Sequence, residues 1–157
     1  MITPGFSTPI EHALAELARM DLLLRRQVLR LRAARVLNDE ALRGIAIPDE
    51  LADALLGQAK EASDELAAES AAQLSKQIDA LRRQNATRAR SSQSGGIQLP
   101  MLALARAFGL NRFEADVLWL AAGAQFQSRY GTLFAYAHND LTRPWLSVDL
   151  ALQLLCE

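Results

Sequence analysis

With one cysteine, Cys156, the chain can form no intrachain disulfide, and a Cys-rich zinc site is excluded. Only two histidines are present, His12 and His138, with no cysteine or acidic cluster in register around them, so no metal-ligand spacing is visible and both read as ordinary histidines. The one Gly pair, Gly95-Gly96, is followed by Ile97, Gln98 and Leu99, without the Lys and Ser/Thr of a phosphate-binding loop. No apolar run reaches the roughly 20 residues a membrane span needs. The N-terminus lacks a basic segment followed by an apolar one, so no secretory signal is read. Nothing pairs a Ser or Cys nucleophile with a His and an acid, and Cys156 reads as a small buried hydrophobe. No catalytic, cofactor-binding or metal-ligating residue is therefore expected, and the plain expectation is a cytoplasmic, non-enzymatic domain.

Aromatics make up 6% of the 157 residues, and half of the chain is hydrophobic, with Ala and Leu abundant. That mix favours helix, because neither residue loses much side-chain entropy there. The net charge of -1 offers no overall field for nucleic acid or an acidic membrane. Its distribution is uneven: residues 1–48 hold seven Arg against five acids, residues 49–81 eight acids against two Lys, and residues 82–99 four Arg and no acid.

Thr8, Pro9 and Glu11 form a helix start with a capping box, and the helical pattern then runs to about Leu37. Ile10, Leu14, Leu17, Leu24, Val28 and Leu31 share a stripe. A helix of that length extends about 45 Å and needs a partner to cover the stripe. After a connector at 38–48, with a turn at Asp39–Arg43 and breaks at Gly44 and Pro48, Asp49 opens a second helical stretch reaching about Arg90. Its apolar face shifts near Glu69–Gln73, from Leu51, Leu55, Ala62 and Leu66 to Leu74, Ile78 and Leu81. Gly57 is its weak point. Two long helices with a short connector predict an antiparallel hairpin over 1–90, its Arg-rich first arm beside the acid-rich start of the second.

Ser91 to Gly96 reads as the core of a flexible linker, 91–98, and a small helical subdomain follows over 99–157. Pro100 starts a helix that stops at Gly109. Asn111 and Glu114 make a capping box for the next, which carries Phe113, Val117, Leu118, Trp119 and Leu120 and reads as largely buried. A helix from Arg129 to about His138, a loop over Asn139–Leu146, and a last helix capped by Ser147 complete the chain, which stops in that helix without a stop signal and so predicts a continuation past Glu157. Leu102–Asn111 followed by Arg112–Leu120 has the layout of a helix-turn-helix. Its second helix pairs Arg112 with Glu114 and Asp116 and is otherwise mostly apolar, so reading DNA is the lesser alternative. The fold expectation is thus all-α: a long helical hairpin, then a small bundle with a winged-helix-like unit whose wing is weak or absent.

On the first helix, Arg19, Arg26 and Arg30 lie opposite the stripe and read as a solvated face. With Leu22 and Leu29 as a second apolar track, the same five residues would form a partner surface. Arg82, Arg83, Arg88 and Arg90 are expected at the C-terminal end of a helix dipole.

The motifs Leu-Ala-Arg-Ala-Phe-Gly-Leu at 104–110, Phe113-Glu114-Ala115-Asp116, Arg129-Tyr130-Gly131 with Leu133 and Tyr136, Asp140-Leu141-Thr142-Arg143, and Ser147 to Leu152 occur in that order. In this the chain resembles the winged-helix-like N-terminal region of bacterial AAA+ ATPases associated with extracellular contractile injection systems. The resemblance covers the last 58 residues best. It departs where Trp145 and Leu146 separate Pro144 from the Ser147 cap, since the family often has Pro directly before that cap. It implies a non-catalytic partner-binding or assembly domain, with a particle component or cargo toxin as partner. A downstream AAA+ module in cis would hold ATP and Mg beyond residue 157, and the whole protein would form a ring-shaped homo-oligomer. The motif residues Arg129, Tyr130, Gly131, Asp140, Thr142, Arg143 and Asp149 are expected to be structural: Arg129 or Arg143 pairing with Asp140 or Asp149, with Tyr130 and Trp145 burying their rings. The rival readings are a DNA-binding regulator and an oligomerisation domain.

Overall fold

The computed structural model describes residues 4–33, 48–57 and 64–156. Seven helices run through them: α1 (Pro9–Ala33), α2 (Asp49–Leu56), α3 (Asp64–Ser94), α4 (Pro100–Ala107), α5 (Arg112–Phe126), α6 (Arg129–His138) and α7 (Val148–Leu155). No strand occurs among the described residues, so no wing is found there. The expected end of the first helix at Leu37, the connector with its turn at Asp39–Arg43 and its break at Gly44, residue Ala62 and the side chains of Leu66 and Glu69 lie outside what is described.

The hairpin is present and antiparallel. Phe6, Glu11, Glu16 and Arg26 meet Ser92, Arg88, Asn85 and Ser75 respectively, so partners descend α3 as the chain climbs α1. The start of α1 is capped by Thr8, whose Oγ1 accepts from the Glu11 amide at 3.1 Å as predicted; the Glu11 carboxylate reaches back one residue further than a capping box requires, accepting from the Ser7 amide at 2.7 Å.

The second arm is not one helix from Asp49. Gly57 adopts φ +67° and caps α2 in the left-handed region that non-glycine residues avoid. The short α2 packs away from the hairpin seam: its Ala52 is buried with Val28 of α1 and Tyr136 of α6. The Arg32 guanidinium donates to Asp53 at 2.8 Å, and the Tyr136 hydroxyl donates to Asp49 at 2.7 Å.

Hairpin and C-terminal helices share a core. Leu17, Met20, Leu23 and Leu24 of α1 and Ile78 of α3 pack with Trp119 and Leu120 of α5, Tyr130, Leu133 and Phe134 of α6, and Leu150 and Leu154 of α7. The expected linker at 91–98 is corrected accordingly. Helix α3 continues to Ser94, and buried Ser92 Oγ accepts from the Phe6 amide at 2.6 Å. Phe6, Ala89 and Leu99 form a small apolar cluster at that end. Serine composition suggests a loop, yet Ser92 satisfies its hydroxyl within the helix, lying 2.9 Å from the Arg88 carbonyl and 3.2 Å from the Phe6 carbonyl.

Candidate protein-interaction surface

The residues expected to form a partner face on α1 are mostly internal. Arg19 is 2% exposed. It donates to Glu16 at 2.9 Å and to Asp116 of α5 at 2.5 Å, while Arg82 of α3 reaches the other Asp116 oxygen at 3.1 Å. Asn85 of α3 completes the network by donating to Glu16 and to the Ala15 carbonyl, both at 3.1 Å. Burial alone would lower the Arg19 pKa; the charges of Glu16 and Asp116 outweigh it and hold it above the ordinary arginine value. Arg26 is also buried, donating to Ser75 and to the Leu154 carbonyl. Leu22 packs against the core, and Leu29 and Arg30 are half-buried. The solvated face is corrected because α1 is flanked on more than one side, by α3 and by α5–α7. Arg82 and Arg88 likewise form ion pairs, with Asp116 and Glu11, and the last turn of α3 carries no basic residue.

Of the motif residues in the C-terminal third, Arg129 and Asp149 act on other partners than expected, while Arg143 stays beside Asp140. Arg129 donates to Asp21 of α1 at 2.7 Å and to the Leu55 carbonyl at 2.8 Å, tying α6 to α1 and α2. The buried Tyr130 hydroxyl donates to Asp21 at 2.7 Å and lies 3.1 Å from the Leu17 carbonyl. Burial, then the Asp21 carboxylate, pushes its pKa far above the ordinary tyrosine value. Gly131 lets the loop approach, since a Cβ there would sit 3.3 Å from the Pro144 carbonyl oxygen. Asp140 accepts from the amide and hydroxyl of Thr142, which holds its pKa below the usual carboxylate range. The exposed Arg143 donates its backbone amide to the Asp140 carbonyl, and Asp149 accepts from Gln153 at 2.8 Å. Trp145 is 54% exposed rather than buried, and Cys156 caps α7 as an exposed residue.

Helices α4 and α5 form the expected helix-turn-helix, with both halves of the Asn111–Glu114 capping box in place. Helix α5 is a core helix: Asp116, Trp119, Leu120 and Gly123 are buried on one side. Its exposed residues are Arg112, Phe113, Glu114, Ala121, Gln125 and Phe126, so it offers a phosphate one cation, Arg112, beside one acid, Glu114. Phe113 is more exposed than its sequence setting predicts.

The outward-facing apolar surface lies between α1, α4 and α5. A groove of about 430 Å³ is lined by Ile10, Ala13, Leu14 and Leu17 of α1, Pro100 and Met101 of α4, and Trp119 and Phe126 of α5. Ile10, expected at the head of the buried stripe, is 72% exposed on its rim. His12 forms part of the wall, its ring 5.0 Å from Phe6 and edge-on to Trp119 at 5.3 Å. Burial pushes its pKa below the ordinary histidine value against the opposing charge of Glu16. No residue of α4 is buried, although the helix is apolar apart from Arg106. One turn beyond Pro100 stands exposed Leu104, and Phe108 at the helix end is 73% exposed. A helix with this composition ordinarily buries a face.

Among the described residues no His, Cys, Asp and Glu gather in a group able to hold a metal, and no helix is long and apolar enough to cross a membrane. The architecture defines an all-helical domain of the helix-turn-helix class, backed by a long hairpin that shares its core. The chain belongs to the family described as winged helix domain, variant, whose model matches residues 3–157. No curated protein and no solved structure matches it.

Proposed function

We propose that this chain is a protein-interaction domain, the partner-binding front part of a AAA+ ATPase that works in the cytoplasm with a contractile injection system. The single observation carrying the interaction reading is α4, an apolar helix with no buried residue beside an open apolar groove. The ATPase context is supported by the ordered motifs from Leu104 to Leu152. A particle component or cargo toxin would cover α4 and the groove, and a ring-forming ATPase module in cis would supply ATP and Mg chemistry. The burial of α5 counts against DNA reading, since its Asp116, Trp119 and Leu120 face inward and cannot reach base edges.

Deleting the hairpin is no clean test, because its removal strips the core of the C-terminal helices. The test is a pull-down of purified particle components and cargo by the whole chain carrying Leu104→Ser and Phe108→Ser. Loss of recovery with an unchanged circular dichroism spectrum is expected, and undiminished recovery would overturn the reading. Self-association through α4 is the competing use of the same surface. Sedimentation of the chain as a monomer at the assay concentration separates the two.

A further inference from the structure

We infer that α4 docks an acidic amphipathic helix of a partner protein. The inference rests on the interaction reading of α4 and adds the chemistry of the occupant. From Arg82 to Phe113 the only ionisable side chains are Arg82, Arg83, Arg88, Arg90, Arg106 and Arg112. Two of these are neutralised in the fold, Arg82 by Asp79 and Asp116 and Arg88 by Glu11. Among the described residues none of the other four meets a carboxylate. Arg90 bonds the Ala86 carbonyl and the Thr87 hydroxyl, and Arg106 bonds Gln93 at 2.7 Å.

The Arg106–Gln93 bond ties the flank of α4 to the end of α3, one turn from Arg90. Leu104 and Phe108, four residues apart, share another side of α4. The exposed surface of α4 is therefore an apolar strip with uncompensated guanidiniums beside it. A helix with apolar side chains at three- and four-residue spacing would cover Leu104 and Phe108. Carboxylates along its margin would meet Arg106 and Arg90, giving register and a faster encounter. A nucleic acid would use the guanidiniums but leave the apolar strip uncovered, so the protein partner accounts for more of the surface.

The test uses fluorescence anisotropy of the whole chain with a labelled synthetic peptide of three Leu-Ala-Glu-Leu-Glu-Glu-Ala heptads. Its control peptide has Lys in place of every Glu, and the third probe is a labelled random-sequence DNA duplex. The acidic peptide is expected to bind at least about tenfold more tightly than the Lys peptide, and to weaken by about tenfold with Arg90→Glu and Arg106→Glu together. Phe108→Ser should weaken it by a similar factor while the circular dichroism spectrum stays unchanged. Equal binding of both peptides, with loss only in Phe108→Ser, overturns the acidic partner but leaves α4 as a docking face. Failure of both peptides overturns the inference and leaves the interaction reading to the pull-down. Duplex DNA binding more tightly than the acidic peptide, and lost in the double Arg variant, overturns it in favour of a phosphate backbone.

Discussion

Arg19 of α1 and Asp116 of α5 are joined by a 2.5 Å charge-assisted hydrogen bond that spans 97 residues of sequence and links the hairpin to the helix-turn-helix unit. Both side chains are nearly sealed from solvent, at 2% and 11% exposure. In such a pair the desolvation cost of each ion is offset only while its partner remains. Asp116→Ala would leave Arg19 with Glu16 alone and deprive Arg82 of its interhelical acceptor. The expected loss is about 3–5 kcal/mol, read as a lower urea midpoint. The pair also has a flaw, since among the described residues none accepts from buried Arg19 Nη1. Replacing the buried charges together, Arg19→Met with Asp116→Leu and Glu16→Gln, so that no carboxylate is left without its arginine, should therefore cost less than Asp116→Ala. A triple variant as unstable as the single one would refute this account.

Tyr130 and Trp145 were expected to play like roles, and the fold separates them. Tyr130→Phe removes the bond to Asp21 and leaves the Leu17 carbonyl without that hydroxyl. A loss of about 1–2 kcal/mol is expected. Trp145→Ala removes a ring that is more than half exposed, and a change within about 0.5 kcal/mol is expected. Parallel denaturant titrations check both, and a larger effect at Trp145 would show that its ring contributes more packing than its exposure suggests.

His12 predicts a pH dependence of known sign. Its pKa in the fold is depressed below 6.5 by burial between Phe6 and Trp119. As pH falls below about 6.5 the unfolded chain takes up the proton first, so stability falls; above that value the group contributes no slope. Glu16, whose charge favours the protonated ring, limits the effect. Between pH 7.5 and 5.5 the urea midpoint should drop less in His12→Gln than in the parent chain. An identical drop in both would remove His12 from the explanation.

How far the sequence could be read depends on the range of the signal. Caps are local, and Thr8, the Asn111–Glu114 box and Ser147 all act where their spacing put them. The helix-turn-helix followed from Pro100, the Gly109 stop and the Asn111 cap for the same reason. Burial on α1 was misread because a stripe describes one partner, and this helix has several. Arg19 and Arg26 became internal once α3, α5 and α7 closed round them, and Ile10 and Leu14 were left on a groove rim. The serine run at 91–94 suggests a loop by composition, while in the fold it is helical and Ser92 is clamped to Phe6, 86 residues away. Exposure of α4 had no local signal, since its apolar pattern alone predicts cover.

Gly57 offers a sign test of the broken second arm. In a continuous helix from Asp49 to Arg90, Gly57→Ala would stabilise the chain by about 1 kcal/mol, because alanine is the better helix former. In the fold described here Gly57 sits at φ +67° as the cap of α2, with open space where a Cβ would stand. No clash is introduced, so the left-handed backbone alone decides, and the substitution should destabilise by about 1 kcal/mol. The two arrangements therefore predict opposite shifts of the thermal midpoint. Helix α2 is held on its far side by Arg32 to Asp53 and by Tyr136 to Asp49, so the strain cannot relax by swinging α2 into line with α3 without breaking both contacts. A raised midpoint in Gly57→Ala would mean that α2 and α3 join, and the packing of α2 on α6 would have to be abandoned with it.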